Sequence, residues 1–123
     1  MLGLGVDITC VSTMQDVLER DDAAFIRRVF TEWEQARAED HPDRAAYLAM
    51  TFAAKEAIFK TFGIDWESGV QLREIEIRDG QSGQPVPHLS GRFEEIARDR
   101  GVSNVLLSLS YDGDYAIAMA ALA

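Results

Sequence analysis

The chain has little of what marks a secreted or membrane-bound protein. Its single cysteine, Cys10, cannot form an internal disulfide, which favours a reducing compartment. The longest apolar stretch, residues 115–123, is about half the roughly 20 residues of a membrane-spanning helix. The first residues lack the basic start and long apolar segment of a secretory signal. We therefore expect a cytoplasmic protein that does not act in a membrane.

Basic residues are also scarce. The chain carries 12 lysines and arginines against 21 acidic residues, which gives a formal net charge of −9. The basic residues are scattered along the sequence, whereas binding to nucleic acid requires a concentrated basic surface. The sequence therefore argues against a nucleic-acid partner. It also contains no repeats, linkers or low-complexity tracts, so we expect residues 1–123 to form a single domain.

The first half of the sequence predicts one strand and several helices. Residues 2–8 form a buried strand whose glycines, Gly3 and Gly5, allow close backbone approach. Short helical patterns follow from residues 11 and 25, and Thr31-x-x-Glu34 matches a capping box for another helix. The longest apolar helical stripe opens at residues 41–43 and stops at Gly63.

The second half predicts two pairs of strands around one helix. Residues 72–78 and 85–89 read as strands joined by a turn, and a helix capped by Ser90 closes at Gly101. Residues 102–110 and 114–122 then flank Asp112-Gly113, a hairpin signal. Because helices and antiparallel hairpins are mixed, the fold class is α+β, with the long central helix packed on a small antiparallel sheet.

Two carboxylates are candidates for a metal site. Asp7 ends the first strand, and Glu56 lies within the apolar central helix, four residues before Lys60. Mg²⁺ takes one or two protein carboxylates and fills its other positions with water and phosphate oxygens. Spacing alone leaves the interpretation open, because Glu56 and Lys60 are also placed for an ordinary surface ion pair and Asp7 could be a turn residue.

A wider pattern of motifs favours the metal site. The chain contains, in order, Gly3-Leu-Gly-Val-Asp7-Ile8, Phe30-Thr31-x-x-Glu34, Phe52-Ala-Ala-Lys-Glu56-Ala-x-x-Lys60-x-x-Gly63 and Ser108-Leu-Ser110. These motifs and their spacing resemble the holo-acyl-carrier-protein synthases, small 4′-phosphopantetheinyl transferases, over nearly the whole chain. The resemblance implies the fold of that family and a homotrimer with coenzyme A bound between neighbouring subunits.

The resemblance also implies an activity: Mg²⁺-dependent transfer of 4′-phosphopantetheine from coenzyme A to a serine of an apo acyl carrier protein, with release of 3′,5′-ADP. It assigns the metal to Asp7 and Glu56. Glu56 and Lys60 are then the catalytic residues, with Glu56 or a metal-activated water taking the serine proton and Lys60 neutralising phosphate charge. The residues expected to contact coenzyme A are Lys55, Lys60, Gly63, Ser108, Ser110 and Tyr111.

Several positions depart from the family pattern. Thr13 and Thr51 stand where the family usually has arginine, and Tyr111 stands where it usually has histidine. The glycine-rich loop after Gly63 is replaced by residues 64–68, Ile-Asp-Trp-Glu-Ser. Each change removes a group that would attract phosphate or an acidic partner. They leave open an alternative: a diverged, non-catalytic homologue that binds coenzyme A or a nucleotide, or that acts as an assembly subunit.

Overall fold

A computed structural model describes residues 2–123 of the chain. Five helices, two short 3₁₀ turns (Trp66–Ser68 and Leu72–Glu74) and five strands follow one another in the described part. The helices are α1 (Val11–Glu19), α2 (Ala23–Val29), α3 (Glu32–Asp40), α4 (Arg44–Thr61) and α5 (Gly91–Asp99). The strands are β1 (Gly3–Cys10), β2 (Ile75–Asp79), β3 (Pro85–Leu89), β4 (Val105–Asp112) and β5 (Tyr115–Leu122).

The strands form two antiparallel sheets. One has three strands in the order β1-β5-β4, and the other pairs β2 with β3. Helix α4 lies across one face of the three-stranded sheet, where β5 contributes a row of buried alanines, Ala116, Ala118 and Ala120. The predicted α+β class, with a long central helix on a small antiparallel sheet, is confirmed.

Two glycines let β1 lie directly against the backbone of α4. A methyl group added to Gly3 would stand 2.2 Å from the carbonyl oxygen of Thr61, and one added to Gly5 would stand 2.3 Å from that of Ala57. Any side chain here would collide with main-chain atoms of the helix. The prediction that these glycines permit close backbone approach is therefore confirmed, and the contact fixes how β1 sits beside α4.

The helix ends follow the sequence in two places. Thr31 and Glu34 form the predicted capping box at the start of α3. Gly63 stops α4 with a left-handed φ of 61°. Asp43 is the N-cap residue of α4, and its carboxylate accepts the amide of Ala46 at 3.1 Å.

Several features differ from the sequence prediction, among them the start of β4, which is Val105 rather than residue 102. The strand expected from residue 72 begins at Ile75, because the Glu74 side chain accepts the Gln71 amide and closes a 3₁₀ turn over Leu72–Glu74. Ser90 does not cap α5 with its side chain; the other carboxylate oxygen of Glu74 instead accepts the Arg92 amide at 2.8 Å. The last hairpin turns one residue later than expected, with Asp112 paired to Tyr115.

The outer face of the three-stranded sheet is apolar and exposed. Alternation along the strands places a set of large apolar side chains on the face opposite α4, each between 41% and 60% exposed. They are Leu4, Val6 and Ile8 on β1, Leu106 on β4, and Ile117 and Met119 on β5. Within residues 2–123, no helix is both long and apolar enough to cross a membrane.

We expect Gly5→Ala to destabilise the protein, because the new methyl group must push β1 away from the α4 backbone. Overpacking of this kind costs about 1–3 kcal/mol, to be measured by chemical denaturation. Gly80→Ala is the matched control, since its added methyl group meets only the flexible Gln84 side chain. Equal unfolding midpoints for the two variants would contradict the proposed close contact.

Candidate active site

Asp7 reaches the candidate site from the inner face of β1. Its carboxylate is 14% exposed, and its Oδ1 lies 2.9 Å from the Nζ of Lys60 on α4. Thr9, two residues along the same face, donates its hydroxyl to Oδ2 at 3.2 Å. The Lys60 ammonium also donates to the carbonyl of Val6 at 3.1 Å. The structure thus joins Asp7 to Lys60 rather than leaving it as an isolated turn residue.

Glu56 lies one helical turn before Lys60 and is partly buried. Burial raises the pKa of its carboxyl group above the ordinary value, and the negative charge of Asp7 raises it further, while Lys60 partly opposes the shift. Two carboxylates that repel each other across a partly buried space would each be stabilised by a shared cation. Glu56 is therefore not simply a solvated partner of Lys60.

The residues present fit a magnesium ion. Mg²⁺ binds through one or two carboxylates and completes its shell with water and substrate phosphate, so two side chains of this kind are enough. Sites built wholly from protein ligands usually need more, and residues 2–123 hold no cluster of three or more His, Cys, Asp and Glu side chains of that sort. The two carboxylates therefore suit a metal ion whose remaining ligands would come from water and from the phosphate of a substrate.

An open cavity of about 290 Å³ lies beside Glu56. Its walls come from α2, from α4 and from residues 66–72, and Arg28 of α2 is one of the lining residues. The apolar wall residues are Phe25, Val29, Phe52, Trp66, Val70 and Leu72. Sequence reasoning did not identify this cavity, since its residues come from four separate segments and share no motif.

Lys55 has a different place from the one expected of a coenzyme A ligand. Its side chain is fully buried, and its ammonium lies 2.7 Å from the carboxylate of Glu34. It also donates to the carbonyls of Val29, Leu72 and Ile75. With its donors used inside the protein and none of its surface exposed, Lys55 cannot reach coenzyme A without unfolding its surroundings. We therefore leave it out of the coenzyme A site.

Gly63 and the altered loop lie at the carboxyl end of α4. Gly63 is exposed and closes the helix by donating its amide to the carbonyl of Lys60 at 3.2 Å. In the loop, the indole of Trp66 stacks on the ring of Phe59 with centroids 4.1 Å apart. This contact anchors the loop on α4.

Ser108, Ser110 and Tyr111 do not join Asp7 and Glu56 in one chain. Ser108 and Ser110 are exposed on the outer face of the sheet, opposite α4, next to Met119 and Ile117 on β5. Tyr111 points to the inner side but lies on β4, at the edge of the sheet away from β1. Within a single chain the sheet separates the two serines from the carboxylates.

A second cavity, of about 270 Å³, contains the position where arginine is replaced by Thr51. Thr51 is buried there, beside Tyr47, whose pKa is raised to about 12 by burial and by the charge of Glu34. Arg37 and His41 also line the cavity, and Arg37 is paired with Asp79 at 2.5 Å. The cavity therefore keeps one guanidinium group although position 51 has lost its own.

Comparison with known proteins identifies the family of the chain. Residues 3–120 match the model of the 4′-phosphopantetheinyl transferase superfamily. The holo-[acyl-carrier-protein] synthase of Desulforudis audaxviator is 42% identical, over 98% of this chain and 91% of that protein. The crystal structure of the holo-[acyl-carrier-protein] synthase of Neisseria meningitidis superposes with a TM-score of 0.91 at 28% identity, covering 100% of this chain and 98% of that one.

A further solved structure shows a relative with its ligand. The holo-(acyl-carrier-protein) synthase of Bacillus anthracis, in complex with CoA (3′,5′-ADP), matches with a TM-score of 0.79 and 28% identity over 98% of this chain and 95% of that chain. The chain belongs to the 4′-phosphopantetheinyl transferase superfamily. Within that superfamily it is a divergent enzyme of the holo-acyl-carrier-protein synthase type.

In metal-free buffer at neutral pH, we expect Glu56→Gln to raise the melting temperature. A carboxyl group with a raised pKa favours folding only while it is protonated, so this contribution is lost as the pH rises through that pKa. The difference in melting temperature between Glu56→Gln and the parent should shrink at acidic pH. Added Mg²⁺ should stabilise the parent protein and not the variant, as measured by differential scanning calorimetry.

Glu67→Gln removes the same charge from an exposed side chain and serves as the control. It should leave both the melting temperature and the response to Mg²⁺ close to those of the parent. Equal stabilisation of Glu56→Gln and parent by Mg²⁺ would refute the metal assignment of Glu56.

Proposed function

We propose that this enzyme transfers 4′-phosphopantetheine from coenzyme A to a serine of an apo acyl carrier protein, in a Mg²⁺-dependent reaction that releases 3′,5′-ADP. The observation that carries the proposal is the meeting of Asp7, Glu56 and Lys60, brought from β1 and α4 to one partly buried place. The names of the relatives and the coenzyme bound in the Bacillus anthracis structure support the same chemistry.

Different side chains serve different parts of the phosphoryl transfer. Asp7 and Glu56 would hold Mg²⁺, which would neutralise charge on the diphosphate of coenzyme A. The serine oxygen of the carrier attacks the β-phosphorus, and the bond from that phosphorus to the bridging oxygen breaks as 3′,5′-ADP leaves. In such reactions, positioning and charge neutralisation supply most of the catalysis.

We assign proton transfer to Glu56 and neutralisation of the phosphate charge to Lys60. Glu56, or a water molecule held at the metal site, would take the proton of the serine hydroxyl. The side chain of Lys60 is 51% exposed, so its ammonium can reach the departing phosphate. Gly63, one turn further on, leaves the end of α4 open to the nucleotide.

We further propose that the protein acts as a homotrimer with shared sites. The exposed apolar outer face of the three-stranded sheet supports this, because a patch of large side chains of this kind marks an interaction surface. Ser108 and Ser110 lie on that face, and Tyr111 follows them on the same edge strand, β4, with its side chain on the inner side. If a neighbouring subunit covers the face, these three residues serve the coenzyme bound beside the neighbour's carboxylates.

We expect Ile117→Glu to give a monomer without transferase activity. Ile117 is 41% exposed, so the charge is tolerated in one chain but would be buried unpaired between subunits. Light scattering after size exclusion gives the mass, and circular dichroism checks the fold. Ala36→Glu, an equal charge change on the exposed side of α3, should leave mass and activity unchanged. A trimeric or fully active Ile117→Glu would contradict the proposal.

The surface of this enzyme expected to dock the carrier protein is unusually acidic. Thr13 is exposed on α1 at the position where the family's docking arginine stands, and Asp16, Glu19 and Asp21 make the nearby surface acidic. Like charges would slow encounter with an acidic carrier by about tenfold or more. Arg28, which lines the Glu56 cavity, is placed to offset part of this repulsion. The expected cytoplasmic location fits such a carrier and stays a prediction.

An intact-mass assay tests the function. The protein is incubated with coenzyme A, Mg²⁺ and several apo carriers, including any encoded near its gene. We expect each accepted carrier to gain the mass of one phosphopantetheine, with no gain in excess chelator or with Glu56→Gln. Glu67→Gln should behave as the parent. Coenzyme A binding without transfer to any carrier would favour the non-catalytic alternative.

A further inference from the structure

The most completely buried charges of the described chain lie outside the Asp7–Glu56–Lys60 group. Glu34 and Lys55 are both 0% exposed and form an ion pair of 2.7 Å. The Lys55 ammonium also donates to the carbonyls of Val29 at 2.9 Å, Leu72 at 3.2 Å and Ile75 at 2.6 Å. Four oxygen acceptors from four segments therefore surround one nitrogen of α4.

Glu34 extends this network on its other side. One carboxylate oxygen accepts the amide of Thr31 at 2.9 Å, which completes the capping box of α3. The second oxygen accepts the amide of Ile77 on β2 at 2.8 Å. Through two side chains, α4 is thus tied to the end of α2, the start of α3, the second 3₁₀ turn and strand β2.

Two of these ties hold the walls of the cavity beside Glu56. Val29 and Leu72, whose carbonyls accept from Lys55, both line that cavity, and Glu56 itself is the next residue along α4. The ammonium therefore joins the helix that carries Glu56 to both facing walls. A change in these bonds would alter the width of the cavity without touching Asp7 or Lys60.

We propose that Glu34 and Lys55 are positioning residues for the reaction, which set the spacing between α4 and the walls of the Glu56 cavity. The inference rests on the proposed function, because it takes the cavity beside Glu56 to be the place where the substrate of that reaction binds. Burying an ion pair is often no more stabilising than packing apolar side chains in its place. Such a pair instead fixes the relative position of the segments that it joins, because its hydrogen bonds define both distances and angles.

The test is the double variant Glu34→Gln/Lys55→Met, which removes both charges together and leaves none buried without a partner. We expect a folded protein whose kcat falls by about tenfold to a hundredfold, because small misplacements of reacting groups have effects of that size. The rise in melting temperature caused by Mg²⁺ should persist, since β1 and α4 still carry Asp7 and Glu56. Unchanged kcat would overturn the proposal.

A matched control distinguishes a loss of positioning from a loss of stability alone. Ile96→Val removes one methylene from the buried face of α5, away from the cavity, and costs about 0.5–1.5 kcal/mol. It should leave kcat at the parent value. If kcat falls equally in this control, Glu34 and Lys55 act only through stability and the proposal fails. Should the double variant not fold, Glu34→Gln alone keeps the three carbonyl acceptors of Lys55, and its kcat must still fall.

A structural readout distinguishes this inference from the proposed function. In a Trp33→Phe background, Trp66 is the one remaining tryptophan, and it lines the same cavity. Acrylamide should quench its fluorescence more strongly in the protein that also carries Glu34→Gln/Lys55→Met, because the cavity walls separate. If the parent transfers nothing to any carrier, the proposed function fails, yet this measurement still decides the inference. Equal quenching in both proteins would overturn it.

Discussion

The close contact between β1 and α4 is the constraint on which the site depends. Without side chains at Gly3 and Gly5, the strand lies against the helix backbone, with carbonyl oxygens where methyl groups would otherwise stand. That approach puts Asp7 within hydrogen-bond distance of Lys60 and close enough to Glu56 to raise its pKa. Two elements far apart in sequence thereby supply one small cluster of charges that suits a metal ion and a phosphate.

The chain uses its two lysines of the central helix for opposite purposes. Lys60 is half exposed at the site, where its ammonium is accessible to a phosphate group. Lys55 is fully buried and holds α4 to the segments around it. Both belong to the same motif, and only their position around the helix axis separates them. Five residues of helix rotate a side chain by about 140°, which moves it from the interior to the surface.

Much of the fold could be predicted from the sequence because its signals are local. Periodicity located the central helix, Thr31 and Glu34 the capping box, and Gly63 the end of α4. Two of the errors come from one side chain, Glu74. Through a local bond to the amide of Gln71 it turns the expected start of β2 into a 3₁₀ turn. Through a bond to the amide of Arg92, 18 residues away, it replaces Ser90 as the acceptor at the start of α5, a contact that neighbouring residues do not reveal.

By itself, the sequence determined the family, the α+β class and the candidates Asp7, Glu56 and Lys60, because motifs and periodicity are properties of adjacent residues. Only the tertiary structure decided which candidates meet. It joined Asp7 to Lys60, placed Ser108 and Ser110 across the sheet, and buried Lys55 against Glu34. It also formed the cavity beside Glu56 from four segments. The physical reason is that distance and burial depend on packing between elements, which residue order alone does not specify.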